Sequence, residues 1–137
     1  MLYMLDTDMC SYIIRKRPIS VLETLQKQSE FGASICISAI TYAELLLGAE
    51  RSQAREKHLN LIHGLIERID KVLPWNAQAA ESFSTLQAYL FSQGTPIGSN
   101  DTMIAGHALS VDAMLVTNNQ RHFSKVPDIK LDNWNSK

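Results

Sequence analysis

Short apolar runs alternate with helix-period segments along the whole chain, and this alternation limits how the chain can fold. The runs typical of buried strands span 1–5, 33–38, 71–75 and 114–117, and 129–134 is a candidate edge strand. Strands separated by helical segments favour a parallel sheet with crossover helices on its faces. The pattern therefore predicts an α/β fold, a three-layer α/β/α sandwich with a four- to five-stranded, mostly parallel sheet.

Helical spacing of apolar residues fills the intervals between these runs. We expect helices over 8–15, from Pro18 onwards, over 41–49 and over 101–110. Two longer helices are predicted from apolar stripes, which are Ala54, His58, Leu61, Leu65 and Ile69 in the first and Ala80, Phe83, Leu86 and Leu90 in the second. Asn76 is a suitable N-cap for the second helix, and Gly94 a suitable end.

Composition describes an ordinary globular chain of 137 residues, with 45% hydrophobic and 20% charged residues. No linker or repeat divides it, so residues 1–137 are predicted to form one domain. The net charge of −1 counts against a nonspecific duplex binder. Cys10 and Cys36 have no CxxC spacing and are predicted to be reduced packing residues. Without a signal segment or a membrane-length apolar run, we expect a cytoplasmic protein with no membrane partner.

Three acidic residues stand where strand-like runs end or helices begin, namely Asp6, Glu44 and Asp101. In an open parallel sheet such positions meet at the carboxyl edge, where ligands bind. Carboxylates brought to about 4 Å repel one another, so a cation is the simplest reason to gather them. Hard oxygen ligands without His or Cys favour Mg²⁺, with Mn²⁺ as the alternative ion.

Each acid also has a structural interpretation. Thr41 and Glu44 fit the spacing of a capping box. Asp101 near a helix start is favoured by the helix dipole. Asp6 is harder to explain in this way, since a capping role after the first strand could fall to Thr7 or Asp8.

Four sequence blocks carry a family resemblance. They are 4–7, with Asp6; 38–48, with Glu44; Pro96-Ile97-Gly98-x-x-Asp101-x-x-Ile104-Ala105-x-His107-Ala108; and 115–119 followed by Phe123. In this order they cover nearly the whole chain, which resembles a PIN-domain endoribonuclease of the VapC toxin type. The resemblance implies the PIN-like sandwich as the fold.

The same resemblance implies a Mg²⁺-dependent endoribonuclease, the toxin of a type II toxin-antitoxin pair. Its cognate VapB-like antitoxin would neutralise it, and operator DNA would be bound only through the antitoxin. The implied substrate is structured RNA, in particular tRNA, with the anticodon loop of initiator tRNA as the leading expectation. Family members commonly form homodimers.

Residue roles follow from the matching positions. Asp6 and Asp101 are expected to coordinate metal, with Glu44 as a third ligand or an orienter of water. Thr7, Thr117 and Asn119 would support them by hydrogen bonds. Asn119 stands where many relatives have a fourth acid, so a strong second metal site is not expected. Asp8 stands where many relatives have Asn. It either restores a negative charge near Asp6 or caps the first helix, and we favour the capping role.

Basic residues are the candidates for RNA contacts. Arg121 and Lys125 follow Asn119 and are expected to flank the bound strand. Arg15, Lys16 and Arg17 end the first helix, where they either clamp phosphate or complement the helix dipole. The four histidines share no metal-ligand spacing and are interpreted as structural or surface groups.

Two other classes of function remain open. The neutral Asn119 allows a PIN-like module that binds RNA or protein without cutting. Asp6-Thr7-Asp8 also resembles the nucleophile motif of haloacid-dehalogenase-like phosphatases, although that family needs a further lysine and late acids, and Asn118-Asn119 supplies none.

Overall fold

The computed structural model describes residues 1–135, in which strands and helices alternate as the sequence predicts. The strands are β1 (Leu2–Leu5), β2 (Ser34–Ser38), β3 (Lys71–Leu73), β4 (Met114–Val116) and β5 (Lys130–Asp132). The helices are α1 (Thr7–Arg15), α2 (Ile19–Glu30), α3 (Ala39–Glu50), α4 (Arg55–Arg68), α5 (Ala77–Ser92), α6 (Ser99–Ser110) and α7 (Gln120–Phe123). No helix within this part of the chain is long and apolar enough to cross a membrane.

The five strands form one parallel sheet in the order β3-β2-β1-β4-β5. In the central strand, Met4 is in register with Cys36 of β2 and Leu115 of β4. The chain moves outward from β1 in one direction through β2 and β3, and in the other through β4 and β5. This reversal makes the carboxyl ends of β1 and β4 a topological switch point, the place where open α/β sheets bind ligands.

Apolar side chains cover both faces of the sheet, which confirms the three-layer sandwich. On one face Leu5 and Ile35 pack in a cluster with helices α1 to α4. On the other face Met4 and Cys36 pack in a cluster with α5, α6 and Phe123. Neighbouring residues of one strand point to opposite faces, so strands buried on both faces are apolar throughout. Both cysteines are free and buried, as expected of packing residues.

Local details differ from the expectations in three places. In α4 the expected stripe is wrong at Ala54, His58 and Leu61, which are exposed. The helix instead turns Ile62 and Leu65 inward to pack with the α1 to α4 cluster. In α5 the fully buried small residue is Ala79 rather than Ala80. Helix α7 has only four residues, too few to show a periodic pattern. Asn76 caps α5 as predicted, its Oδ1 accepting from the Ala79 N–H at 3.1 Å.

Close packing of α5 against α6 fixes the helix that carries Asp101. At Gly106 the two helices approach so closely that an added Cβ would lie 2.8 Å from Cα and N of Phe83. A side chain at that position cannot be accommodated unless α6 moves away from α5.

We predict that Gly106→Ala lowers the free energy of unfolding by about 1–3 kcal/mol, because it overpacks this contact. Gly64→Ala is the matched control, since it changes a mid-helix glycine with open space around its Cβ position. It should leave stability unchanged or raise it by up to about 1 kcal/mol. Urea unfolding measures both variants, and equal effects would contradict the packing argument.

Candidate functional site

Asp6 lies at the end of β1 and is itself the N-cap of α1. Its Oδ1 accepts a hydrogen bond from the Met9 N–H at 2.9 Å, and its own N–H donates to the Val116 carbonyl at 3.0 Å. The expectation that Thr7 or Asp8 caps this helix is therefore wrong, because the residue that leaves the strand already has the extended conformation a cap needs. Asp8 lies in the first turn and is exposed.

Asp6 is buried, with 5% of the residue exposed. Its pKa is raised from 3.8 to about 6, mainly by burial and to a smaller extent by the charges of Asp8 and Asp101, although the Thr117 hydroxyl and the Met9 N–H lower it in part. Thr117 Oγ1 also accepts from the Asn119 N–H at 3.0 Å, so its own hydrogen is available to Asp6. Asp6 is thus a buried acid whose charged form is destabilised.

Glu44 is held on α3 by donors from two other helices. The Thr7 hydroxyl donates to Oε1 at 2.5 Å, and Asn100 Nδ2 donates to Oε2 at 2.9 Å. The capping-box interpretation is wrong, because α3 begins at Ala39 and its cap is Ser38, whose Oγ accepts from the Ile40 N–H at 3.1 Å. The Glu44 carboxylate is therefore directed toward the start of α1, which follows Asp6, and the start of α6, which contains Asp101.

Asp101 lies in the first turn of α6, close to α7. His122 Nε2 stands 3.0 Å from Asp101 Oδ2 and 2.9 Å from the Ile97 carbonyl oxygen. Since a carbonyl oxygen only accepts, Nε2 carries a hydrogen and donates to both. Burial raises the pKa of Asp101, the charge and hydrogen bond of His122 lower it, and the charges of Glu44 and Asp8 raise it. The helix dipole alone would have favoured its ionised form.

The four acids near the β1–β4 switch point act on one another electrostatically. Asp101 raises the pKa of Asp6, while Glu44 and Asp8 raise that of Asp101. However, no group of three or more His, Cys, Asp or Glu side chains within residues 1–135 is arranged to hold a metal ion. The site therefore gathers oxygen donors of the type that hard cations prefer, without forming a finished coordination shell.

Comparison with known proteins gives the family. A PIN domain matches residues 3–129. The chain belongs to the PIN-domain family. It is 42% identical to the tRNA(fMet)-specific endonuclease VapC of Shigella flexneri, over 96% of this chain and 97% of that protein. This confirms the VapC-type resemblance.

Solved structures agree with this assignment. The chain superposes with a TM-score of 0.92 and 34% identity on VapBC2 of Rickettsia felis bound to a promoter DNA fragment, covering 98% of this chain and 99% of that one. The TM-score is 0.90, with 40% identity and the same coverage, for DNA-bound VapBC of Salmonella typhimurium. This PIN fold therefore has the architecture of toxin subunits from toxin-antitoxin complexes.

The sequence patterns did not identify two residues that bond to the acids of the site. His122 was expected to be a structural or surface group, yet it bonds to Asp101. Asn100, which directly precedes Asp101, bonds to Glu44. Adjacency to an acid was the only sequence signal for Asn100, and none existed for His122. By contrast His107 is buried and bonded to Ser38 Oγ at 2.8 Å, a structural role as expected.

The remaining candidates, Asn119 and the basic residues, are all exposed, and Lys16 and Arg17 follow the end of α1 opposite to Asp6. Asn119 is exposed and precedes α7, and its side chain makes no capping hydrogen bond. The basic candidates are all exposed: Arg15, Lys16, Arg17, Arg121 and Lys125. Among them the Arg15 guanidinium lies 5.2 Å from the Tyr12 ring centroid, and Lys16 ends α1 with φ of 59°.

We predict that Asp6→Asn stabilises the metal-free protein at pH 7.5. The pKa of Asp6 is about 6 in the folded chain and near 3.8 unfolded, so this group's penalty on folding grows as pH rises through that interval and is complete above it. Asparagine keeps an oxygen for the Met9 N–H. The free energy of unfolding in EDTA should therefore increase by roughly 1–3 kcal/mol at pH 7.5, and by almost nothing at pH 3.

Exposed Glu81→Gln on α5 is the control, and it should shift stability by less than about 0.5 kcal/mol at either pH. Denaturant unfolding of wild type and both variants at the two pH values provides the comparison. Loss of stability in Asp6→Asn at pH 7.5 would show that the buried charge is not destabilising.

Proposed function

We propose that this protein is a divalent-metal-dependent endoribonuclease toxin that cleaves initiator tRNA, with the anticodon loop as its target. The observation that carries the proposal is the electrostatic coupling of Asp6, Glu44 and Asp101 at the switch point of a PIN sheet. It is supported by 42% identity to a tRNA(fMet)-specific endonuclease along almost the full length of both chains. In this proposal residues 1–137 act as one nuclease domain.

Mg²⁺ is the proposed cofactor, with Mn²⁺ as the alternative. Asp6 and Asp101 would hold the ion, and Glu44 would be a third ligand or orient water. When bound, the ion would supply Lewis-acid stabilisation of the charge that builds on phosphate during in-line attack by water. Its charge would also offset the effects of burial and of repulsion between the acids, both of which raise the pKa values of Asp6 and Asp101. Cleavage should leave a 5′-phosphate and a 3′-hydroxyl.

Neutral side chains complete the proposed site. Thr117 and Thr7 orient Asp6 and Glu44 by hydrogen bonding, and His122 orients Asp101. Asp8 adds negative charge near Asp6 while remaining exposed. Asn119 orients substrate or water but adds no charge, so we expect one tightly held ion.

An antitoxin of VapB type is the proposed inhibitor, because the structural relatives are VapBC complexes. A groove of about 370 Å³ between α1, α3 and α4 opens at Thr7 and Glu44 and has an apolar floor that includes Leu61 and Ile62. An antitoxin segment lying in this groove would reach Glu44. Operator DNA would be bound through the antitoxin, and the toxin would form a homodimer.

One alternative function has an observation in its favour. Because residues 1–135 contain no ready-made group of three metal ligands, the chain could be a module that binds RNA or antitoxin without cutting. Such a module would retain tRNA in a filter-binding assay and produce no Mg²⁺-dependent fragments.

We predict that the purified protein cuts initiator tRNA with Mg²⁺ and not with EDTA, and that elongator methionine tRNA is cut far less. Asp6→Asn and Asp101→Asn should each reduce the cleavage rate by more than about 100-fold, since even an outer hydrogen-bond partner of a metal ligand is worth about 10–100-fold. Circular dichroism would check that both variants fold.

Asp112→Asn is the matched control, because Asp112 is an exposed acid paired with Lys130 at 2.9 Å. It should cleave at the wild-type rate. If Asp6→Asn cleaves as fast as wild type, the assignment of these acids to a nuclease site is wrong. Release of free phosphate from a generic monoester would instead favour the phosphatase class.

RNA contacts give a separate prediction. Arg121 is exposed in α7, two residues after Asn119, and we propose that it contacts a phosphate of the bound strand. Arg121→Ala should lower the slope of log affinity against log salt concentration by about one unit. Arg55→Ala is the control, because Arg55 is already paired with Glu50 at 2.8 Å and Glu56 at 3.0 Å. Equal slopes for wild type and Arg121→Ala would remove Arg121 from the interface.

A further inference from the structure

We propose that Asn100 is a positioning residue, which fixes the Glu44 carboxylate beside Asp101 so that both face the same ion. This inference rests on the proposed metal-dependent nuclease. Asn100 touches no reacting atom in the proposal, and acts only through Glu44.

Both oxygens of Glu44 are held, and each by a neighbour of another acid. Oε1 accepts from Thr7, the residue after Asp6, and Oε2 accepts from Asn100, the residue before Asp101. A carboxylate oxygen accepts only, so the amide nitrogen of Asn100 faces it. The two hydrogen bonds therefore tie α3 to the start of α1 and to the start of α6.

Repulsion between Glu44 and Asp101 is the reason that a hydrogen bond from Asn100 matters for the site. Glu44 and Asp101 carry like charges, and two carboxylates brought close together repel each other. Glu44 is only half-buried, and a long side chain in that setting is free to swing into water. Asn100 opposes this movement with a neutral donor, which adds no competing positive charge.

The fold does not depend on this side chain. Asn100 is exposed in the first turn of α6, and the N-cap of this helix is Gly98, so no side chain caps it. The one hydrogen bond of its side chain within residues 1–135 is the one from Asn100 to Glu44. Mutating His122 would be a less selective test than mutating Asn100, because His122 also bonds to the Ile97 carbonyl and its ring lies 5.4 Å from that of Phe123.

Asn100→Ala tests the inference, with Mg²⁺ affinity of the RNA-free protein measured by calorimetry and kcat measured on initiator tRNA. We expect Mg²⁺ affinity to fall by about 10-fold while the unfolding midpoint stays at the wild-type value. Asn100→Gln keeps an amide donor and should recover part of that affinity. Asn60→Ala, the same change at an exposed position of α4, should match wild type.

A double-mutant cycle with Glu44→Ala separates positioning from other effects. Mn²⁺ binding, followed by electron paramagnetic resonance, extends the measurement to weak sites. If Asn100 acts through Glu44, Asn100→Ala has no further effect once Glu44 is removed. If Asn100→Ala lowers Mg²⁺ affinity just as much in the Glu44→Ala protein, or if Asn100→Ala alone binds Mg²⁺ like wild type, the role of Asn100 is overturned. The proposed nuclease function would still stand. Absence of both metal binding and cleavage in wild type would instead overturn the proposed function.

Discussion

Burial of the Asp6 carboxylate at the end of β1 is the interaction on which the rest of the site depends. The parallel sheet reverses its order between β1 and β4, which brings the end of β1 against Val116 and Thr117. Asp6 joins these elements and starts α1. The same burial raises its pKa to about 6, so the fold keeps a carboxylate where its charge is unfavourable. Groups held in this way at a sheet's switch point are typical of functional sites rather than of structural ones.

Neutral or weakly basic donors keep the acids in place. Glu44 is held by Thr7 and Asn100, and Asp101 by His122. Lysine or arginine in these positions would neutralise the acids more strongly, but would also compete with a cation for the same oxygens. The arrangement restrains the carboxylates and leaves their negative charge available. It therefore explains how acids can be gathered at one place without forming a complete metal cage in the described residues.

Sequence alone was sufficient for the five strands, for every helix except α7, and for the sheet edge near which Asp6 and Asp101 lie. Apolar runs and helical periods are local signals, which predict the strands and helices. Because ligand sites lie where a parallel sheet reverses its order, the predicted strands also indicate that Asp6 and Asp101 lie near each other. Side-chain partners could not be predicted in the same way. Asn100 and Glu44 are 56 residues apart, and His122 and Asp101 are 21 apart, so their contacts depend on how helices pack. The caps of α1 and α3 were misassigned, because several oxygen-bearing residues near each of these helix starts fit the cap pattern equally well.

The central claim is that these acids share one divalent cation. Substoichiometric Mn²⁺, added to isotopically labelled protein, broadens the nuclear magnetic resonance signals of residues close to the ion. The account predicts that the amide signals of Thr7, Asn100 and Thr117 disappear first, that excess Mg²⁺ restores them, and that Asp6→Asn prevents the effect. Broadening that begins at another surface, or that spreads evenly over the protein, would contradict a shared metal site.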